Sequence, residues 1–427
     1  MTERLHFDVV VIGAGTAGLA AATRAAQDGA RVAVLAKGIG STHLAPGTID
    51  VLGYRSEPIT ELAPAIADLP ADHPYSAIRE LVIDDALSWF ERTVEQGRLP
   101  GYRYVGDRRA NRLHPTALGA LRPSALVPET MAGFEHVGDG PVVIVGVSCL
   151  RDFHQDPCAA NLRAAGLDAR AVTVSPELER ADMNALGIAR HLDDVDWRSR
   201  FCATVRPHIG GATAVGLPAM LGLNDPHRVL MDLQHQLGCW VFEIPTVPPS
   251  VPGMRLYEIL AGALRRAGGR LVLGAEVVAH ARAEDKVTEV STRAAGRDLS
   301  YSADWFVHAG GGFASGAIEL DSHWAAHDRV LDLPLTGLPE PDGQRFSSTY
   351  LDRQPMVTPV SRSTVSFERR GSPTSSSRAR HCRVRRRGRS CQRRGSHSPA
   401  PATLRSRSNS VLAERRRLRE PCRSGRA

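Results

Sequence analysis

The chain has 427 residues, of which 42% are hydrophobic, and its formal net charge is +7. Such a length is sufficient for two or three domains with a substantial buried core. The charge is unevenly distributed, because residues 361–427 contain 20 Arg, no Lys, no Asp and 3 Glu, and residues 1–360 therefore have a net charge of −10. The positive overall charge is thus no reason to expect that the folded body binds nucleic acid.

The seven cysteines are widely spaced and include no C-x-x-C pair. The sequence therefore indicates neither a zinc site nor an iron–sulfur cluster, and we expect reduced thiols in a cytoplasmic protein. Residues 7–26 are apolar enough to suggest a signal peptide or membrane anchor, but Asp8, Arg24 and three regularly spaced glycines argue against it. No other stretch approaches about twenty uninterrupted apolar residues. We expect a soluble protein that contacts a membrane only through a partner.

The chain begins with a strand, a glycine-rich turn and a helix. An apolar run at 7–12 leads into the turn, an alanine-rich stretch follows as far as Gly29, and 31–35 predicts a second strand. The residues of the turn are Gly13, Ala14, Gly15, Thr16, Ala17 and Gly18. In this βαβ context the glycines permit a tight turn, a close approach of a phosphate and close helix packing, and the helix N-terminus attracts the anion. We predict a phosphate-binding turn, the alternative being a turn that binds nothing.

The acid that usually ends the second strand of a dinucleotide-binding fold is missing. Asp or Glu at that place holds a ribose hydroxyl, whereas this chain has Ala36 followed by Lys37. The residues therefore predict a site for a phosphate and leave recognition of FAD in question. We predict that Lys37 also binds the cofactor.

A segment of small residues at 38–53 comes next and contains Ser41, Gly47 and Thr48. In a flavoprotein such a loop would lie near the ribityl chain and the ring, and the alternative is an ordinary surface loop. Residues 54–245 predict an inserted α/β substrate or cap domain. Its predicted elements are helices at 59–70, 77–96 and 159–165 and strands at 142–147 and 169–174.

The chain is predicted to return to the first domain with a helix at 256–267. Strands are then predicted near 270–278, 287–293 and 299–308, and the last leads into a second glycine turn with Gly310 and Gly311. The predicted fold class is therefore α/β. A Rossmann-like flavin-binding domain would consist of residues 1–53 and 246–356, interrupted by the inserted domain.

The last predicted region, residues 357–427, is rich in Arg and Ser and lacks apolar periodicity. Such a composition cannot bury enough surface to fold alone and predicts a disordered tail. One interpretation is a genuine tail that binds RNA, which deletion of 357–427 would test. The favoured one is a frameshift, since 51 Arg against 2 Lys indicate a GC-rich gene, whose shifted codons encode mainly Arg, Ser, Pro, Ala, Gly and Cys.

Motifs along residues 5–356 together resemble the B subunits of anaerobic glycerol-3-phosphate dehydrogenase, a flavoprotein family. They occur in family order at 7–18, 41–50, 73–76, 118–123, 145–153, 217–223 and 245–256. The last of them, with the sequence PTVPPSVPGMRL, is the most specific. Nothing after Met356 resembles the glycine-containing segment that closes over the flavin in proteins of this kind.

The resemblance implies FMN as the cofactor, in agreement with the missing acid, with FAD as the alternative. It also implies oxidation of sn-glycerol 3-phosphate to dihydroxyacetone phosphate, with electrons passed towards a membrane quinone. The implied partners are a second flavoprotein, the A subunit, and an iron–sulfur protein, the C subunit, which attaches both to the inner face of the plasma membrane. A generic FAD-dependent oxidoreductase acting on another substrate is the alternative function.

Oxidising a secondary alcohol requires a base for the hydroxyl proton and, with this substrate, cations for the phosphate. His208 is the candidate base, the alternative being a surface or packing histidine. Arg122 and Arg255 lie in family-like motifs and are candidates for binding the phosphate through a bidentate guanidinium. The alternative for both arginines is an ordinary salt bridge.

Overall fold

The computed structural model describes residues 3–55, 57–70, 73–78, 80–138, 140–178, 182–284, 286–294, 297–336, 338, 343–349 and 360–361. Of the predicted tail at 357–427, only Val360 and Ser361 are within these ranges. The predictions of disorder, of RNA binding and of a frameshift there lie outside the described residues.

Strands and helices largely alternate at 3–36 and 142–273, whereas 104–128 and 270–361 contain runs of strands. The strands are β1 (Glu3–Ile12), β2 (Val32–Ala36), β3 (Tyr104–Gly106), β4 (Arg112–Pro115), β5 (Leu121–Ser124), β6 (Leu126–Pro128), β7 (Val142–Val147), β8 (Ala169–Val174), β9 (Ala214–Pro218), β10 (Trp240–Ile244), β11 (Arg270–Leu273), β12 (Glu276–Ala283), β13 (Lys286–Ala294), β14 (Arg297–His308), β15 (Ile318–Leu320), β16 (Ala326–Asp328), β17 (Leu335–Thr336) and β18 (Val360–Ser361). The α-helices are α1 (Thr16–Gln27), α2 (Leu62–Ala67), α3 (Pro74–Ala77), α4 (Glu80–Glu95), α5 (Glu129–Ala132), α6 (Gln155–Ala164), α7 (Ala185–Leu192), α8 (Val195–Val205), α9 (Pro226–Leu237) and α10 (Val251–Arg266). Short 3-10 helices are formed by Gly40–Leu44, Gly133–His136, Arg206–His208 and Phe313–Ser315.

A six-stranded sheet contains strands from both segments of the predicted flavin-binding domain. Its strand order is β11-β2-β1-β14-β13-β12, in which the first four strands are parallel and the last two antiparallel. The unit β1–α1–β2 is the βαβ unit that the glycine turn predicts. Val10, Val11 and every residue of β2 are buried, which explains why these strands read as continuous apolar runs.

A four-stranded parallel sheet, in the order β10-β9-β7-β8, lies within the region predicted as the inserted domain. Its buried residues form a separate hydrophobic core with helices α6 to α9. The predicted α/β class is confirmed, since both sheets are built mainly from parallel strands with helices between them. The predicted domain boundaries stay a prediction.

One predicted strand is two strands. The run at 270–278 divides at Gly274, whose φ of 75° turns the chain. Residues before the turn pair with β2, and those after it form β12 and pair with β13. This division matters for the site, because it brings the start of β12 beside the end of β2.

Helix α10 connects the second sheet with the first. Ser250 caps its N-terminus by accepting a hydrogen bond from the Gly253 N–H at 3.1 Å, and its apolar face packs in one core with α1 and α4. Among the described residues, no helix is long and apolar enough to cross a bilayer.

Candidate functional site

A cleft of about 530 Å³ opens at the carboxyl ends of β1, β2 and β14. This is the edge at which parallel α/β sheets bind ligands. The wall consists largely of the two glycine turns and the end of β2. Its lining includes Gly13, Ala14, Gly15, Ala36, Lys37, Ser41, Leu44, Glu276, Gly310, Gly311, Gly312 and Arg329.

The three glycines of the turn, Gly13, Gly15 and Gly18, differ in the space that a side chain would have. Gly13 has a φ of 111°, and a Cβ on it would overlap the carbonyl oxygen of Ala309. A Cβ on Gly18 would overlap the carbonyl oxygen of Gly13. A Cβ on Gly15 would meet no described atom within 4 Å. Packing within the protein thus explains Gly13 and Gly18, whereas Gly15 leaves open space facing the cleft.

The N-terminus of α1 points into that space with its backbone donors available. Its N-cap, Gly15, is extended (φ −73°, ψ 178°), no side chain caps it, and the first turn holds no acidic residue. The first N–H groups of a helix have no intrahelical acceptor, and together with the helix dipole they attract anions. The cleft therefore has what a phosphate-bearing nucleotide needs at this end.

The loop after β2 is held tightly against the start of α10. A Cβ on Gly47 would lie 2.6 Å from the Cβ of Pro252, and a Cβ on Gly253 would overlap the carbonyl oxygen of Thr42. The Tyr104 hydroxyl donates to the Gly47 carbonyl at 2.6 Å. These contacts fix a loop that presents Ser41 and a largely exposed Leu44 to the cleft.

The structure brings most of the predicted cofactor-binding residues together. Those that line the cleft are Gly13, Ala14, Gly15, Lys37, Ser41, Gly310 and Gly311. Thr16, Ala17 and Gly18 form the first turn of α1 behind it, where the Thr16 and Thr42 hydroxyls are 3.0 Å apart. Gly47 packs on α10, and Thr48 lines a different cavity. Their role in cofactor binding stays a prediction.

That second cavity has a volume of about 150 Å³ and lies between the 41–50 loop, the β4–β5 hairpin and the segment after β10. Its lining includes Thr48, His114, Arg122, Ser124, Glu243 and Thr246. Arg122 is ion-paired with Asp50 and donates to the Thr48 hydroxyl at 2.5 Å. Ser124 also donates to Asp50, at 2.7 Å. Arg122 is thus a half-buried cation oriented by a carboxylate and facing a small polar cavity.

Arg255 has a different environment, fully buried in the first turns of α10. Its guanidinium donates to both oxygens of Glu243, at 2.8 and 3.0 Å, and twice to the Gly222 carbonyl, at 2.9 and 2.7 Å. Burial opposes its charge, but the ionised Glu243 holds the pKa of Arg255 above its usual value. This geometry corresponds to the salt-bridge alternative, because protein groups already occupy the donors that a substrate phosphate would need.

His208 lies on the surface at the end of the 3-10 helix Arg206–His208 and lines neither cavity. Its placement corresponds to the surface-histidine alternative. Its role as a base stays a prediction.

Sequence reasoning missed several residues that the fold brings to these cavities. Glu276 and Arg329 line the cleft, and His114, Glu243 and Thr246 line the second cavity. Four of the five lie outside the motifs given above, whereas Thr246 lies within the motif at 245–256, which is the signal that could have found it.

Comparison with known proteins shows which family the chain resembles. Residues 8–338 match the FAD binding domain family. A probable B subunit of anaerobic glycerol-3-phosphate dehydrogenase from Halobacterium salinarum is 34% identical over 345 residues, covering 77% of this chain and 79% of that protein. The B subunit of anaerobic glycerol-3-phosphate dehydrogenase from Pectobacterium atrosepticum is 30% identical over 349 residues, covering 78% and 80%. The match and the cleft together identify a flavin-binding protein.

A solved structure, the 3-ketosteroid delta1-dehydrogenase of Sterolibacterium denitrificans, matches with 17% identity and a TM-score of 0.34, covering 72% of this chain and 48% of the other. A TM-score and a sequence identity this low do not by themselves establish a common fold or function.

Proposed function

The chain belongs to the family of anaerobic glycerol-3-phosphate dehydrogenase B subunits, flavin-binding oxidoreductase proteins, and we propose that it works as one of them. The reaction we propose is the oxidation of sn-glycerol 3-phosphate to dihydroxyacetone phosphate. The structural observation that supports a flavin-dependent reaction is the glycine-lined cleft at the uncapped N-terminus of α1. The names of the relatives supply the substrate.

We propose FAD as the cofactor. The expectation of FMN comes from the family resemblance and agrees with Ala36, but the comparisons lend it no support, whereas the family match is to an FAD binding domain. In this proposal the N-terminus of α1 binds the cofactor phosphates, and the 41–48 loop and the second glycine turn border the rest of the cofactor. A bound flavin takes up the hydride equivalent that leaves the alcohol carbon.

The relatives are named as subunits, and we propose that this chain likewise works with a second flavoprotein, the A subunit, and an iron–sulfur protein, the C subunit. The iron–sulfur partner would attach the complex to the inner face of the plasma membrane and pass electrons to a quinone. The chain would then be a peripheral component that contacts the membrane through its partner.

The second cavity is the proposed place for the substrate phosphate, with Arg122 as its cation. The guanidinium is oriented by Asp50 and Thr48, and only part of its donor set is engaged by them. Arg255 would then be a positioning residue, since its partner Glu243 lines the same cavity.

Reduction of the bound flavin tests the reaction. The full chain, alone and together with its two proposed partner proteins, is mixed with sn-glycerol 3-phosphate without oxygen, and the flavin absorbance is followed. We expect bleaching with glycerol 3-phosphate and none with glycerol or L-lactate. Bleaching by another alcohol, with glycerol 3-phosphate inactive in the complete complex, would overturn the proposal in favour of a generic flavin oxidoreductase.

The role of Arg122 is tested with a matched arginine on the same hairpin. Arg112 is also ion-paired, with Glu135, but does not line the cavity. Because a charge-assisted contact to a phosphate is lost, Arg122→Gln should raise the KM for glycerol 3-phosphate about tenfold or more. Arg112→Gln should leave the KM within about twofold, as expected for an exposed ion pair. Equal effects of both changes would remove Arg122 from the site.

A further inference from the structure

An acidic side chain reaches the end of β2 from another strand of the sheet. Ala36, which stands where the ribose-binding acid is usual, pairs in register with Leu273 at the end of β11. Gly274 then turns the chain, and the Ala275 N–H donates to the Ala36 carbonyl at 3.0 Å. The next residue is Glu276. The hydrogen bond from Ala275 places the carboxylate of Glu276 near Ala36, although the two residues are 240 positions apart in the chain.

Two cations hold this carboxylate at the wall of the cleft. Arg329 donates to its Oε1 atom at 2.6 Å, and the Lys37 ammonium lies 3.5 Å from the same oxygen. Among the described residues, Oε2 accepts no hydrogen bond. All three side chains line the cleft, and Glu276 is 28% exposed. One oxygen of Glu276 is therefore fixed by the protein and the other is available to a ligand.

The charge state of this carboxylate suits a hydrogen-bond acceptor. Partial burial opposes ionisation, but the hydrogen bond from Arg329 and the charge of Lys37 more than offset it and lower the pKa of Glu276. The group is therefore ionised at neutral pH. Hydroxyl groups that donate to a carboxylate form shorter and stronger hydrogen bonds than those between neutral groups.

We propose that Glu276 binds the ribose hydroxyls of the cofactor's adenosine and so replaces the acid missing at position 36. The inference rests on the proposed flavin function of the cleft and deepens it, since it makes Glu276 a residue that selects FAD over FMN. FMN has no adenosine and gains nothing from this carboxylate. Lys37 and Arg329 orient Glu276 in this arrangement.

The chain offers a matched control for the test. Arg329 also donates to Glu319, at 3.1 Å, but Glu319 does not line the cleft. Glu276→Gln and Glu319→Gln each remove one acidic partner of Arg329, and only the first alters the cleft wall. Any difference between the two variants is then a property of the cleft.

The full chain, freed of flavin, is titrated with FAD and with FMN, and binding is followed by flavin fluorescence. For Glu276→Gln we expect FAD binding to weaken by about tenfold to a hundredfold, the size of a lost hydrogen bond to a charged group. FMN binding should stay within about twofold, which also shows that the variant is folded. Glu319→Gln should leave both affinities unchanged.

An FAD analogue whose adenosine ribose lacks its 2′ and 3′ hydroxyls locates the contact. It should bind the unaltered chain as weakly as FAD binds Glu276→Gln, and the Gln variant should not distinguish the analogue from FAD. Unchanged FAD binding in Glu276→Gln, or equal losses for FAD and FMN, would overturn the proposal and favour Lys37 and Arg329 as ligands of a terminal phosphate. Because no turnover of glycerol phosphate is measured, these results are independent of the substrate assignment.

Discussion

The parallel strands of the two large sheets of this protein end in different ways at their carboxyl edges. In the six-stranded sheet, β1 and β14 run into glycine turns that border an open cleft of about 530 Å³. In the four-stranded sheet, β10 ends beside Glu243, whose carboxylate is occupied by Arg255, Thr130 and the Leu221 N–H. A parallel sheet thus provides an edge for a ligand, and the side chains at that edge determine whether the protein itself fills it.

The two carboxyl edges also differ in their electrostatics. The cleft presents uncapped backbone donors of α1 to any anion that enters, whereas the pair Arg255–Glu243 is neutral overall and excluded from water. Breaking a buried pair leaves an uncompensated charge and is costly. We therefore expect substitutions at the filled edge to affect stability, and substitutions at the open edge to affect cofactor binding.

The largest effect should come from Arg255→Met. Removal of the guanidinium leaves Glu243 buried without its partner, and the free energy of unfolding should fall by about 3–5 kcal/mol. Denaturant unfolding of the chain measures it. Arg228→Met removes an exposed i,i+4 contact with Asp232 and should cost less than about 0.5 kcal/mol. If stability were kept while the KM for substrate rose, Arg255 would bind substrate, as one of the two interpretations of the sequence has it.

Gly15→Asp should weaken flavin binding on the order of a hundredfold, since it places a negative charge at the N-terminus of α1, where we propose that a cofactor phosphate binds. The Cβ at this position meets no atom of the described residues within 4 Å, so the stability of the flavin-free chain should hardly change. Gly210→Asp, another glycine with open space outside the cleft, is the control and should bind flavin normally. Gly18→Val is less informative, because its side chain would overlap the Gly13 carbonyl and disturb the turn itself.

Asp328→Asn should lower the free energy of unfolding by about 2 kcal/mol, the size of a lost charge-assisted hydrogen bond. Asp328 is buried, with the His308 imidazole at 3.2 Å, and accepts from the Val330 and Leu331 N–H groups at 2.9 and 3.2 Å. It thereby links His308, at the end of β14, to Val330, which lines the cleft.

The pH dependence of this effect has a definite sign. Burial opposes ionisation of Asp328, but His308 and the two N–H groups together hold its pKa well below the usual 3.8. A lowered pKa in the folded state means that the stabilisation is present above about pH 4 and is lost as the pH falls further. The difference in unfolding free energy between the unaltered chain and Asp328→Asn should therefore shrink below about pH 4. A difference that grows there would contradict the assignment.

Local patterns predicted the strands of the six-stranded sheet and two strands of the second sheet, β7 and β8, but not β9 or β10. The apolar runs at β1, β2 and β7, the glycine turns and the alternating strand–helix order all have short-range causes, because strand burial and turn conformation depend on a few consecutive residues. The exception at 270–278 has a local cause too, namely the positive φ of Gly274. Pattern alone does not reveal that this glycine ends one strand and redirects the next.

In the candidate site, too, some features follow from local sequence and others from contacts between distant residues. The sequence by itself determined the glycine turn at Gly13–Gly18 between β1 and α1, since a glycine fingerprint between a strand and a helix is a contiguous signal. Tertiary structure decided the rest, because strand pairing brings Glu276 beside Ala36, and α10 brings Arg255 to Glu243. The physical reason is that a carboxylate or guanidinium acquires its role from the charges around it, and those charges come from residues that are distant in the chain.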